Sequence, residues 1–140
     1  MKGARASVEL ENGRVYLAAS LRNAGAGVAI IHGWHAYTVD RLENRDLPAP
    51  EEFRAQTRDL YVPSGDVGFW QAAVRDHDNP QYKAYADAVE QRRFFVLSLL
   101  YSDQEGGQRT ISRFLVSPTD GPDWLFSVNR HHNLDRPDPR

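Results

Sequence analysis

The dipeptide Asn12-Gly13 constrains the fold more than any other feature, because it separates two segments in which apolar and polar residues alternate. A type I′ hairpin turn needs positive φ at both central residues, and Asn-Gly is the pair that best tolerates this. A two-residue loop at this point sets Val8 opposite Leu17 and places the alternating apolar side chains on one face. Residues 5–22 are therefore predicted to form an antiparallel hairpin.

The rest of the chain reads as further short strands and one helix. Gln81 follows Asn79 and Pro80, which is typical of a helix start, and Tyr82 and Tyr85 recur at helical spacing. Gly33 is a candidate bulge. The predicted strands cover residues 28–39, 54–62, 67–74, 94–102, 109–116 and about 124–128. The prediction is an antiparallel β-sandwich of seven to eight strands with one inserted helix at about 79–91, forming one domain over residues 1–130 with a polar tail at 131–140.

Composition excludes several classes of function. The chain has no cysteine, which excludes thiolate zinc sites, iron–sulfur clusters and catalytic cysteine. Seventeen Lys and Arg against nineteen Asp and Glu give a net charge of −2, so no surface for duplex nucleic acid is predicted. The apolar runs at 28–31 and 94–101 are far shorter than the roughly 20 residues of a membrane span. We expect a soluble chain, either cytoplasmic or the soluble part of a membrane-attached protein.

Sequence motifs for catalysis and for cofactors are missing as well. The chain has no G-x-S-x-G elbow, no phosphate-binding loop and no dinucleotide fingerprint, and Ser64 lies in a turn without a neighbouring histidine. Asp103 and Glu105 stand two apart in a hairpin loop, where solvated carboxylates keep ordinary acidity. Asp103 is therefore predicted to accept hydrogen bonds from its own turn. No catalytic residue and no cofactor is predicted.

The five histidines do not predict a metal site. His32 and His35 are three residues apart, so on a regular strand their side chains leave opposite faces. Only a bulge at Gly33 would reverse that parity and let the two converge. The adjacent His131 and His132 diverge in any extended segment.

The remaining candidates concern contacts with a partner. Arginines on separate predicted strands would line one surface with aromatic residues, which is a composition typical of protein-contact hot spots. The alternative is that these are exposed positions of unrelated strands. That surface comprises Arg54, Arg58, Arg109, Arg113, Tyr61 and Trp70. The residues predicted to contact a partner or ligand are Trp34, His35, Arg58, Trp70 and Arg113.

The strand at 94–101 is apolar on both faces, so both must be covered. Phe95, Leu97 and Leu99 face the core. The opposite face, with Val96 at its centre, is predicted to lie under the helix at 79–91, and the alternative cover is a partner chain in a symmetric dimer. The prediction is a monomer or a weak homodimer.

Two motifs resemble a known class of domain. Asn23, Gly25, Gly27 and Ala29 resemble the N-x-G-x-G-x-A turn between the second and third strands of bacterial immunoglobulin-like sandwiches, and residues 101–114 are similar to the last hairpin of these modules. The chain also resembles uncharacterised actinobacterial proteins in which such a domain stands alone or follows membrane helices. The resemblance implies a buried tryptophan on the third strand, at Trp34, and it transfers no active site. An inter-sheet cysteine pair is missing, and the helix is an insertion.

These features together predict a non-catalytic interaction or accessory module with an unknown protein partner. The alternative is a small-ligand-binding protein or a metal-dependent enzyme that uses Trp34, His35 and loop carboxylates.

Overall fold

A computed structural model describes residues 1–25, 27–39, 47–103, 108–121 and 123–135, without the side chains of residues 4, 57, 58 and 129. The described residues form eight strands, one α-helix and one 3-10 turn. These elements are β1 (Lys2–Glu11), β2 (Arg14–Arg22), β3 (Ala29–Val39), the 3-10 turn (Pro50–Glu52), β4 (Arg54–Val62), β5 (Val67–Val74), α1 (Tyr82–Gln91), β6 (Phe94–Asp103), β7 (Arg109–Pro118) and β8 (Trp124–Asn133). The strands form one antiparallel sheet in the order β4-β3-β6-β7-β8-β1-β2-β5. The prediction of a mostly β, antiparallel protein with one helix is confirmed.

The N-terminal hairpin has the predicted turn and register. Asn12 and Gly13 have φ of 52° and 73°, which is the left-handed conformation that a type I′ turn requires. Val8 stands opposite Leu17 in the β1–β2 ladder. Both side chains are buried in the core, so the alternation in the sequence fixes the face as well as the register.

The sheet curves around its core until strands from opposite ends of the strand order meet. Trp34 on β3 packs edge-on against Trp70 on β5, with 5.7 Å between the ring centroids. The two edge strands, β4 and β5, also come into contact. A Cβ on Gly68 would lie 2.5 Å from Cγ2 of Val62, so only glycine permits this approach. Trp34 is buried on the third strand, as predicted.

Asn23 holds the chain together where these edges meet. Its amide nitrogen donates hydrogen bonds to the carbonyl oxygens of Val62 at 2.9 Å and of Gly27 at 2.6 Å, and its side-chain oxygen accepts one from the Gly25 N–H at 2.9 Å. Its backbone also pairs with the β4–β5 turn, by an N–H donated to Asp66 and a carbonyl that accepts from Gly65. The asparagine-glycine motif is thus a structural link between the β2–β3 connection and the end of β4.

The helix begins later than predicted and covers a different face. It starts at Tyr82, after a turn in which the Asn79 side chain accepts the Gln81 N–H. It ends at Gln91, and the next residue, Arg92, has a φ of 54°. Tyr85 packs on Phe95, with 6.0 Å between the ring centroids, and Phe95 belongs to the core. The prediction that the helix covers the Val96 face of β6 is therefore wrong, because α1 lies on the core side of the sheet.

The described part of the connection between β3 and β4 lies against the outer face of the sheet. Val96 and Ile111 are only 7% and 1% exposed on this face. Residues 47–50 line, with Ile111 and His132, a cavity of about 320 Å³, and Phe53 lies 6.1 Å from the His35 ring. Residues 47–53 of the same chain therefore cover part of the second apolar face.

β8 extends to Asn133, beyond the predicted strand, and the 131–140 segment therefore includes residues of the sheet. In the part of the chain that the structure describes, no helix has the length and apolar character to cross a membrane.

Candidate functional site

An open cleft crosses the sheet where β1, β2 and β5 approach the start of β8. Its volume is about 580 Å³, and its floor consists of small side chains that leave the backbone accessible. The lining residues are Arg5, Ala6, Ser7, Ala18, Ala19, Ser20, Phe69, Trp70, Gln71, Asp123, Trp124, Leu125 and Phe126. The cleft lies where β1 and β8 meet, and Ala6 and Trp124 are the pair that joins these strands among the described residues.

Two large apolar side chains stand exposed at the cleft. Phe69 is 70% exposed and Leu125 is 63% exposed. The exposure of each side chain follows from strand alternation, because neighbouring side chains of a strand point to opposite faces and the adjacent Trp70 and Trp124 are buried. Arg5 and Asp123, both exposed, add one charge of each sign to the lining. The cleft thus combines an apolar rim with a floor of small residues.

Trp70 connects the cleft to the core. Its ring is 1% exposed and lines both the cleft and a cavity of about 10 Å³ beneath it. Its indole Nε1 is buried, and no hydrogen-bond partner for it lies among the described residues. A buried N–H without a partner is energetically unfavourable, and a space of this size holds about one water at most. Trp70 therefore places a buried donor without a described partner in the wall between the cleft and the core.

A polar row crosses the outer face of the sheet, away from the cleft. His35 on β3 stands opposite Ser98 on β6, and Ser98 stands opposite Arg113 on β7. Arg113 is 4% exposed, and Nδ1 of His35 and Oγ of Ser98 are buried without a hydrogen-bond partner in the described part of the chain. Burial lowers the pKa of His35, and the nearby Glu52 carboxylate partly opposes this effect. The structure thus brings together two of the predicted contact residues, His35 and Arg113.

The other predicted contact residues lie elsewhere. Trp34 and Trp70 pack against each other in the core, and the Arg54 guanidinium lies 4.7 Å from the centre of the Trp34 ring. Tyr61 is 60% exposed on β4. Arg58 lies on β4, and its side chain is outside the described residues.

The predicted arginine and aromatic surface is therefore not formed. Trp70 faces the core, and Arg113 is buried under the outer face. Arg109 is exposed and pairs with Asp135 at 3.1 Å. Alternation along a strand does not show which residues are exposed here, because both faces of the sheet are covered around β6.

His32 and His35 lie on the same face of β3, which is the alternative that a bulge at Gly33 would produce. The β3 ladders shift between Ile31 and Gly33, so a bulge is present and His32 lies on the outer face with His35. The two do not share a ligand set, since no group of three or more potential metal ligands occurs among the described residues. Asp103 lies at the end of β6, whereas Glu105 is outside the described residues.

Sequence reasoning missed Phe69 and Leu125. The signal was present, because the alternation that buries Trp70 also exposes Phe69 on the same strand. Their place in one cleft was not predictable without the strand order.

Comparison with family models, with curated proteins and with solved structures returned no match.

Proposed function

We propose that the protein acts as an interaction module and that its contact surface, which is non-catalytic, is the cleft between Phe69 and Leu125. The observation that carries this proposal is the pair of exposed apolar side chains at a cleft with a small-residue floor. Exposed apolar clusters of this kind mark interaction sites in proteins whose remaining surface is polar. Burial of each side chain against a partner would contribute about 1.5–3 kcal/mol.

The fold that we propose for this module is the immunoglobulin-like sandwich. Two segments of the strand order support it: β1-β2-β5 on one side and β4-β3-β6-β7 on the other, with β8 between them. The contact of Trp34 with Trp70 joins the two segments across the core, as a sandwich requires. Modules of this class use exposed loops and faces for recognition, which accords with an interaction role.

A small apolar ligand is the second candidate occupant, and the Trp70 side chain favours it. A ligand with a hydrogen-bond acceptor would satisfy the unpaired Nε1–H at the base of the cleft. The volume of about 580 Å³ lies within the range of small-molecule sites, roughly 300–1,000 Å³.

A fluorescent apolar probe, 1-anilinonaphthalene-8-sulfonate, tests the cleft directly. We expect the folded protein to enhance its fluorescence and expect Phe69→Ser and Leu125→Ser each to reduce the enhancement by at least half. Tyr61→Ser is the matched control, because Tyr61 is a similarly exposed aromatic residue outside the cleft lining. Equal enhancement by all variants would contradict the proposal.

A photo-crosslinking residue distinguishes a protein partner from a small ligand. With benzoylphenylalanine in place of Phe69 in the native host, an interaction module gives a discrete crosslinked band that the same substitution at Tyr61 does not give. A small-ligand protein gives no such band, but the ligand quenches tryptophan emission through Trp70.

A further inference from the structure

A serine, a histidine and an aspartate from three different strands lie next to one another on the outer face. Nε2 of His32 on β3 lies 2.7 Å from Oγ of Ser102 on β6. Nδ1 of the same imidazole lies 3.3 Å from Oδ1 of Asp59 on β4. Nucleophile, base and orienting carboxylate stand in the same order in serine hydrolases, where geometry and not chain position defines the triad.

The carboxylate fixes the direction of the hydrogen bonds. Asp59, when ionised, only accepts hydrogen bonds, so in neutral His32 the proton is on Nδ1 and Nε2 is an acceptor. Oγ of Ser102 donates to the carbonyl oxygen of Asp103 at 3.1 Å, and the hydroxyl has only one proton. In the tautomer with an unprotonated Nε2, a rotation of that hydroxyl lets Ser102 donate instead to His32 at 2.7 Å, as a nucleophile donates to its general base.

The backbone places His32 at this position. It is the extra residue of the bulge between Ile31 and Gly33, and it has no opposite residue in either ladder of β3. Bulges redirect side chains and occur often next to active sites. Ile30 stands opposite Ser102 in the β3–β6 ladder, so His32, two positions further on, lies on the same outer face as Ser102. All three groups lie on strands, which restrict their motion.

We propose that Ser102, His32 and Asp59 form a second site, independent of the cleft, that hydrolyses small esters with short acyl chains. The Ser102 oxygen forms a bond to the acyl carbon while its proton passes to Nε2 of His32. The C–O bond to the leaving alcohol then breaks, and the alcohol takes that proton. Water, deprotonated by His32, releases the acyl group as a carboxylic acid and restores Ser102. The restriction to short chains follows from burial, because Ser102 is only 4% exposed, whereas the His32 side chain is 36% exposed.

A fluorophosphonate probe on the full chain tests the nucleophile. We expect a single covalent adduct, located on Ser102 by peptide mapping of the wild-type protein. Ser102→Ala abolishes the adduct, and His32→Gln lowers the labelling rate about 100-fold, the contribution of a general base. Hydrolysis of p-nitrophenyl acetate should fall in parallel. No adduct on Ser102 in the folded wild-type protein would overturn the proposal.

Asp59 is a positioning residue, and its test separates orientation from structure. Asp59→Asn lowers the labelling rate at least tenfold, and Asp59→Glu recovers part of it because a carboxylate is restored. Equal loss in both variants, with unchanged circular dichroism, would contradict the orienting role.

A second serine and histidine pair provides an internal control. Oγ of Ser112 lies 2.5 Å from Nδ1 of His131, and the Tyr101 hydroxyl is its other neighbour at 2.8 Å. This pair has an oxygen–imidazole contact, no carboxylate among the described residues bonds to the imidazole, and Ser112 is fully buried. His131→Gln should leave the labelling of Ser102 unchanged, and so should Phe69→Ser in the cleft. A reduction by His131→Gln equal to that by His32→Gln would refute the assignment.

Discussion

Replacing Asn23 removes the side-chain hydrogen bonds that link the β2–β3 connection to the end of β4. Asn23→Ala deletes three of them, two donated and one accepted, at distances of 2.6 to 2.9 Å. Asn23 is 5% exposed, so water replaces these bonds poorly. At about 1 kcal/mol for each bond, we expect a loss of about 3 kcal/mol in the free energy of unfolding. This is a large part of the 5–15 kcal/mol typical of a domain.

Asn23→Asp gives a second, more stringent result. Aspartate keeps the oxygen that accepts from Gly25, but it sets a carboxylate oxygen against the carbonyls of Val62 and Gly27. It should therefore destabilise at least as much as alanine at pH 7. Urea titration followed by circular dichroism measures both variants, with Asn79→Ala as the control that loses one side-chain hydrogen bond. A loss below 1 kcal/mol for Asn23→Ala, or an aspartate variant more stable than the alanine variant, would refute the reasoning.

Three further predictions concern packing and pH. In Gly33→Ala the new Cβ would lie 2.9 Å from the Arg54 carbonyl oxygen, so thermal unfolding should show a loss of about 1–3 kcal/mol, whereas Gly27→Ala, with open space around it, should change stability by less than about 0.5 kcal/mol. Burial raises the pKa of Tyr85 to about 12, above the value of about 10 in an unfolded chain, so its contribution to stability is intact below pH 10 and is lost as the pH rises from 10 to 12. Urea midpoints at pH 8 and pH 11 should show this extra loss in the wild type and not in Tyr85→Phe. Val96→Asp buries an unpaired charge, and circular dichroism should show an unfolded chain; a folded monomer would instead mean that this face is exposed when the chain is alone.

Local patterns predicted the strands and the hairpin register well. Alternation and turn chemistry act between near neighbours, so Asn12-Gly13 and the strand at 67–74 were readable from the sequence. The partial cover of the outer face was not readable, because the contacts of residues 47–53 with Ile111 and His35 depend on the tertiary path of the chain. Because α1 precedes β6 directly in the sequence, it was predicted to cover the Val96 face, whereas it packs on the core side.

The candidate sites were less predictable than the strands. Phe69 and Leu125 are 56 positions apart, and they line one cleft only through the order of β5, β2, β1 and β8. His32 and Ser102 are separated by 70 positions, and their contact depends on β3 and β6 being neighbours in the sheet. A motif search detects chemistry that is local in sequence, and neither site is local.

The seam between β1 and β8 also governs how the chain folds. β1 and β8 are neighbours in the sheet, and in the described part of the chain Ala6 pairs with Trp124. The barrier to folding thus includes closing a loop of nearly the whole chain, and sheets dominated by such distant contacts fold in milliseconds to seconds. On the ribosome, the hairpin of β1 and β2 can form early. Its apolar face remains without its final neighbour until Trp124 has left the exit tunnel, so the newly made chain depends on protection from aggregation for most of its synthesis.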